Sequence, residues 1–259
     1  MNDVGQLFVV GFEGKAPTRA LSERLARDRV GGIALFSRNL EGPRQVAELV
    51  RSLQTLSPVA PLLICVDQEG GRVARLKAPF TELPPARVVG EAGSEALTYR
   101  LGTAVGRELK AVGINVNFAP VLDVDTNPQN PVIGDRAFGP SADLVARLGA
   151  AYIRGLQDQG VAATGKHFPG HGDTTEDSHL TLPLVTKERA RLHREELPPF
   201  RAGMMQGLRL LMSAHVMYPA LDPEWPATLS HAILTGLLRD ELGYTGAVMT
   251  DDLKMAAVR

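Results

Sequence analysis

Leu62-Leu63-Ile64-Cys65-Val66-Asp67-Gln68-Glu69-Gly70-Gly71-Arg72 is an unbroken apolar run that stops abruptly in charge and glycine. A strand with one wet face alternates apolar and polar residues. A run that is apolar at every position suits a strand covered on both faces, as in parallel sheets. Six further segments read the same way: Phe8 to Phe12, Gly32 to Phe36, Val116 to Val124, Ala163 to Phe168, Leu210 to His215 and Ala247 to Thr250.

The stretches between these runs carry helical signatures. Pro43 suits a first helical position and is followed by Val46, Leu49, Val50 and Leu53 at helical spacing. Ser94 is placed to cap Leu97, Leu101, Val105 and Leu109, with Gly113 as the stop. Leu144, Leu148, Ala151 and Tyr152 form another stripe that ends near Gly160, and Ser230 precedes Ile233, Leu234, Leu237 and Leu238 with Gly243 closing. A helix from about Lys187 to Gln206 is interrupted by Pro198-Pro199, which predicts a kink or break. Lys77 to Gly93 reads as a long loop above the third strand.

Strand–helix–strand repetition with short links argues for an α/β fold with right-handed crossovers. Seven strands and six helices exceed what most doubly wound sheets use. The expected architecture is therefore a TIM-type (β/α)8 barrel, truncated after the seventh strand and one βα unit short.

Composition sets the outer bounds. The chain has 259 residues, 44% of them hydrophobic and 22% charged, with a formal net charge of −1. This balance fits a globular domain and implies neither a nucleic-acid partner nor a membrane surface. The first residues carry no basic, apolar leader pattern, and no apolar stretch reaches membrane-spanning length, so the expected location is the cytoplasm. Cys65, the single cysteine, reads as a small core residue.

The polar residues are more telling by position than by number. The third apolar run ends in Asp67, the fourth in Asp123-Val124-Asp125, the fifth in Lys166-His167, the sixth in His215 and the seventh in Asp251-Asp252. Barrel enzymes build their sites at the C-terminal ends of several strands at once. A polar residue can simply mark where one strand leaves the core, but five coincident cases call for more. Beyond the fifth run lies Pro169-Gly170-His171-Gly172-Asp173-Thr174-Thr175-Glu176-Asp177-Ser178-His179, a loop with far more titratable groups than a connector needs.

One chemistry fits these groups together. A carboxylate from the Asp251-Asp252 pair could attack an electrophilic carbon. Asp177 could orient His179, which would protonate a leaving oxygen and later deprotonate water. Asp67, Arg72, Arg75, Arg136 and Lys166 could hold the hydroxyls and amide oxygen of a polar substrate. That describes retaining glycoside hydrolysis with an imidazole in place of the usual carboxylic acid. A zinc hydrolase using His167, His171, Asp173, Asp177 and His179 is the competing reading, although the spacing matches no common metal signature. His171 has the plain alternative of bonding its own loop, and His215 that of a satisfied core histidine. His193 and His231 sit on helices and suggest no catalytic part. Asp123 and Asp125 are equally suited to bracing the loop and to touching substrate. Gly70-Gly71 lacks the pattern of a phosphate cradle.

At these residues the chain resembles glycoside hydrolase family 3, in its bacterial β-N-acetylhexosaminidase branch. The resemblance lies in Lys166-His167-Phe168-Pro169-Gly170-His171-Gly172 through Asp177-Ser178-His179, in Val66 to Val73, in Phe118 to Val124 and in Thr250 to Met255, and it runs from Leu7 to the last residue. It implies that Asp251 is the nucleophile, His179 the general acid/base and Asp177 its partner. It also implies substrate contacts from Asp67, Arg75, Arg136, Lys166 and His167. The implied activity is removal of terminal β-linked N-acetylglucosamine, as a small-molecule glycoside, from muropeptides in cell-wall recycling, with no metal or organic cofactor. A β-glucosidase, a β-glycoside phosphorylase and a non-catalytic truncated barrel are the alternatives. The family's β-glucosidases lack the Asp-x-His loop, which favours the hexosaminidase branch. Family members continue through a seventh helix, an eighth strand and an eighth helix, whereas this sequence stops at Arg259. An open sheet, from a fragment or a chain closed by a partner, is therefore expected.

Overall fold

The computed structural model describes residues 4–57 and 60–258. The chain opens with β1 (Val9–Val10), α1 (Arg19–Asp28), β2 (Gly32–Leu35), α2 (Pro43–Thr55) and β3 (Leu63–Val66). A small antiparallel hairpin follows, β4 (Gln68–Gly70) with β5 (Val73–Ala74), and then α3 (Ala86–Ala92) and α4 (Glu95–Ala111). Next come β6 (Val116–Asn117), α5 (Ala142–Gln157), β7 (Ala162–Phe168), α6 (Arg189–Glu195), α7 (Leu197–Met205) and β8 (Leu210–Ser213). A helix over Ala232–Glu241, wound with π-type turns, leads into β9 (Ala247–Thr250).

Seven strands form one sheet in the order β1-β2-β3-β6-β7-β8-β9, with every neighbouring pair parallel. Among the described residues β1 and β9 each pair on one side only, so the sheet is open between them. It is nevertheless curled. Cys65 of β3, Val116 of β6, Ala162 of β7 and Leu210 and Met212 of β8 form one cluster. Val9 of β1, Ala34 of β2 and Met249 of β9 pack against that same cluster. First and last strands meet one inner cluster only if the sheet bends round it, which makes a half-barrel.

The larger core lies on the convex side, between sheet and helices. It takes the stripe Val46, Leu49, Val50 and Leu53 from α2, and Val145, Leu148, Tyr152 and Ile153 from α5. The expected caps are in place. The Ser94 hydroxyl accepts from the Leu97 amide at 3.2 Å, and that of Ser230 from the Ile233 amide at 3.0 Å. Helices α4 and α5 lie so close that a Cβ on Gly155 would stand 2.2 Å from the Tyr99 carbonyl oxygen.

Three expectations need correction. The long loop 77–93 contains α3. The run Val116 to Val124 pairs regularly only over Val116–Asn117; Pro120 has no amide to donate, and beyond Asn117 the chain stays on β7 through isolated bonds, Thr164 N–H to the Ala119 carbonyl at 2.9 Å and Leu122 N–H to the Lys166 carbonyl at 2.7 Å. The helix over 187–206 breaks at Glu196, two residues before Pro198, because both prolines occupy the first turn of α7, where missing amides cost nothing.

Candidate active site

The C-terminal ends of β3, β7 and β9 deliver charged side chains to one place. Lys166, at the end of β7 and nearly fully buried, puts its Nζ 3.0 Å from Asp67 Oδ1 and 2.6 Å from Glu69 Oε1. Arg136 holds Glu69 with two parallel bonds, Nε to Oε2 at 2.9 Å and an NH2 to Oε1 at 2.8 Å. Arg75 lies 3.5 Å from Asp67. Burial alone would raise the Glu69 carboxyl, but Lys166 and Arg136 outweigh it and bring it down to about 2. Glu69 is thus an anionic hub that fixes two cations. Arg72, by contrast, turns to Asp135 and the Val132 carbonyl, away from Asp67.

His167 sits beside this cluster. Its Nδ1 donates to Asp123 Oδ2 at 2.7 Å, which sets the tautomer and turns Nε2 toward Asp251, whose Oδ2 is 3.9 Å away. Asp251 follows β9 directly and keeps a quarter of its side chain exposed. Burial works to raise its carboxyl, yet His167, the Asp252 amide and Lys166 hold it below the ordinary carboxylate range. The group is therefore an anion with one open side. Asp252 points elsewhere: its side chain accepts from the Lys254 amide, and its carbonyl lies 3.2 Å from His215 Nε2. The other nitrogen of His215 meets Thr228, so this buried ring braces the turn behind Asp251.

The loop after β7 carries the second centre. Asp177 Oδ1 accepts from both the His179 amide, at 2.8 Å, and His179 Nδ1, at 2.7 Å. These bonds hold Asp177 ionised against the cost of its partial burial. They also leave Nε2 of a largely exposed imidazole as the nitrogen that can exchange a proton. Among the described residues no hydrogen bond or ion pair joins His179 to Asp251.

The base of this loop is heavily tied down. Asp123 is fully buried, and its Oδ1 accepts from the amides of His167 and His171 at 3.0 and 2.7 Å. Asn130 donates to the His171 carbonyl and the Thr174 hydroxyl. Lys187, in contact with Glu195 and Glu196, reaches Asp173 at 3.4 Å. A Cβ on Gly172 would fall 1.8 Å from the Val124 carbonyl oxygen, so only glycine lets the loop lie against that segment.

The structure therefore gathers Asp67, Arg75, Arg136, Lys166, His167 and Asp251 at one rim and sets Asp177 and His179 on the adjoining loop. Glu69 and Ser178 carry a weight that the sequence reading does not give them, and Asp123, open there between brace and substrate contact, is a buried brace. An aspartate inside Val121-Leu122-Asp123-Val124 was the available signal for a buried brace. Among the described residues no three histidine, cysteine or acidic side chains converge as a metal cage would require. Chemically, the arrangement offers an ionised carboxylate with one open side, a carboxylate–imidazole dyad on a separate loop, and a charged floor.

Comparison with known proteins follows the same lines. The model of the glycosyl hydrolase family 3 N-terminal domain matches residues 1–259. A beta-hexosaminidase of Nitrosomonas eutropha is 46% identical over 258 residues, covering 97% of this chain and 73% of that protein. The structure of a family 3 beta-N-acetylglucosaminidase from Paenibacillus sp. str. FPU-7 matches with a TM-score of 0.97 and 52% identity, over 99% of this chain. This chain spans only 49% of that one. NagZ from Neisseria gonorrhoeae, solved with N-trifluoroacetyl-D-glucosamine, matches with a TM-score of 0.90 and 37% identity, over 95% of this chain and 74% of that one.

Proposed function

Because the chain belongs to glycosyl hydrolase family 3, we propose that it is the catalytic part of a retaining exo-β-N-acetylglucosaminidase. In this reading Asp251 attacks the anomeric carbon and forms a covalent glycosyl ester while the bond to the leaving oxygen breaks. His179 gives its Nε2 proton to that oxygen, with Asp177 stabilising the orientation of the ring. The now neutral imidazole then takes a proton from water, which cleaves the ester and frees the sugar with net retention. Asp67, Arg75, Lys166 and His167 bind the sugar hydroxyls, and Arg136 holds its part of that floor through Glu69.

What carries the reading is an ionised Asp251 directly after β9 together with an Asp177–His179 dyad on the loop that follows β7. An imidazole suits the second position for an electrostatic reason. A second carboxylate next to anionic Asp251 would resist ionising, whereas imidazole is neutral when it must act as base. The relatives named beta-hexosaminidase and beta-N-acetylglucosaminidase support N-acetylglucosamine as the sugar; its terminal β-linkage and a setting in cytoplasmic muropeptide turnover belong to the proposal. The half-barrel is read as the larger part of a (β/α)8 barrel.

Aryl N-acetylglucosaminide and aryl glucoside assays, run with and without phosphate, test this directly. Turnover confined to the N-acetylglucosaminide is expected. Preference for the glucoside would favour a β-glucosidase, and dependence on phosphate a phosphorylase. His179→Ala should slow substrates with poor leaving groups by about a hundredfold or more, as removal of a general acid does, while sparing activated aryl glycosides. Asp251→Ala should abolish both.

A further inference from the structure

The segment 175–182 carries the dyad, yet it has little hold on the rest of the protein. Asp177 and His179 bond each other, and the amides of Leu180 and Thr181 return to the Asp177 carbonyl. Thr181 bonds Glu176. Glu176, His179, Leu180, Thr181 and Leu182 are exposed. Ser178 is the exception. It is buried between the half-buried Asp177 and the exposed His179, and its hydroxyl lies 3.1 Å from His171 Nε2. Among the described residues this is the side-chain hydrogen bond that leads out of the segment.

His171 is well built for such a task. Its ring is buried, stands edge-on to His167 with centroids 5.6 Å apart, and puts Nδ1 2.9 Å from the Thr174 hydroxyl. Burial and the neighbouring His167 push it down to about 4, so it is neutral near pH 7. In either neutral tautomer one nitrogen donates and the other accepts, and both hydroxyls are matched. Its backbone amide is held by Asp123, the carboxylate that also fixes His167 against Asp251.

We infer that His171 is a positioning residue for the proton-transfer dyad: through Ser178 it sets where the 175–182 segment carries Asp177 and His179, and through Asp123 it ties that position to the Asp251 side of the site. The inference rests on the hydrolase reading for its catalytic consequence and on geometry alone for the tether. With the tether cut, the segment samples more positions and fewer molecules hold His179 in reach of a leaving oxygen. Steps that need the proton suffer, and steps that do not are spared.

Ser178→Ala tests both halves. Loss of one net hydrogen bond corresponds to roughly a fivefold to tenfold shift between tethered and released segment. Amide exchange over 175–182 should accelerate by that order while the sheet is unchanged. The ratio of kcat/KM for poor to activated N-acetylglucosaminide leaving groups should fall by a similar factor. His171→Gln in the Ser178→Ala background should add little beyond either single change if the two act as one unit. Unchanged exchange over 175–182, or equal losses on both substrate types, would overturn the inference. Absence of turnover by the unsubstituted chain would sink the hydrolase reading and the catalytic half with it, and exchange would still decide the tether.

Discussion

Single residues at this site are set by partners far away in sequence. Glu69 shows it most plainly. It lies 97 residues before Lys166 and 67 before Arg136, and both grip it. Its carboxyl sits at about 2, against an ordinary 4.5. A depressed acid contributes stability that is present above the unfolded value and is lost as pH falls through the folded one. Stability measured by urea unfolding should therefore drop between pH 4.5 and 2, and Glu69→Gln should flatten that drop while lowering stability at neutral pH. An unaltered acid slope would mean that the cluster is not held as described. The sequence made Asp251, Asp177 and His179 conspicuous because their chemistry is concentrated in short motifs. It hid Glu69 and Ser178, whose work depends on partners that the folded chain brings to 2.8 and 3.1 Å. Asp123 was weighed there as brace or substrate contact. Full burial and two accepted amides make it a brace.

Secondary elements were legible wherever local rules decide. Pro43 for α2 and the Ser94 cap for α4, each followed by an apolar stripe, located these helices closely, because such signals act within one turn. They missed α3, which Pro84-Pro85 disguises as loop, and they extended β6 through Pro120, where no amide is available for a ladder. Contact between elements is a separate matter, and α4 against α5 is the clearest example. Gly155→Ala would gain up to about 1 kcal/mol in helix propensity but lose about 1 to 3 kcal/mol to overpacking, because the obstacle is backbone. A net fall in unfolding free energy is expected. A gain would mean that the two helices can move apart freely.

At the scale of the whole molecule, the sheet curls so that its convex side makes the main core and its concave side only a small one. Leu148, fully buried outside the sheet, and Met249, half-buried within the curl, probe the two. Leu148→Ala should cost about 2 to 5 kcal/mol and Met249→Ala about 1 kcal/mol or less by chemical denaturation, since a cavity costs most where nothing can collapse into it. Parallel strands and their C-terminal charges could be read from apolar runs, and the strand and helix count pointed to a truncated barrel; which residues meet inside the curl could not be read, because that depends on contacts across the sheet. That curl gives the strand ends a common rim, and the account turns on what happens there. The most direct test is to trap the first step with an activated 5-fluoro N-acetylglucosaminide and map the modified peptide by mass spectrometry. One glycosyl group esterified to Asp251 is the predicted result; turnover with no adduct, or an adduct on Asp252 or Asp177, would contradict it.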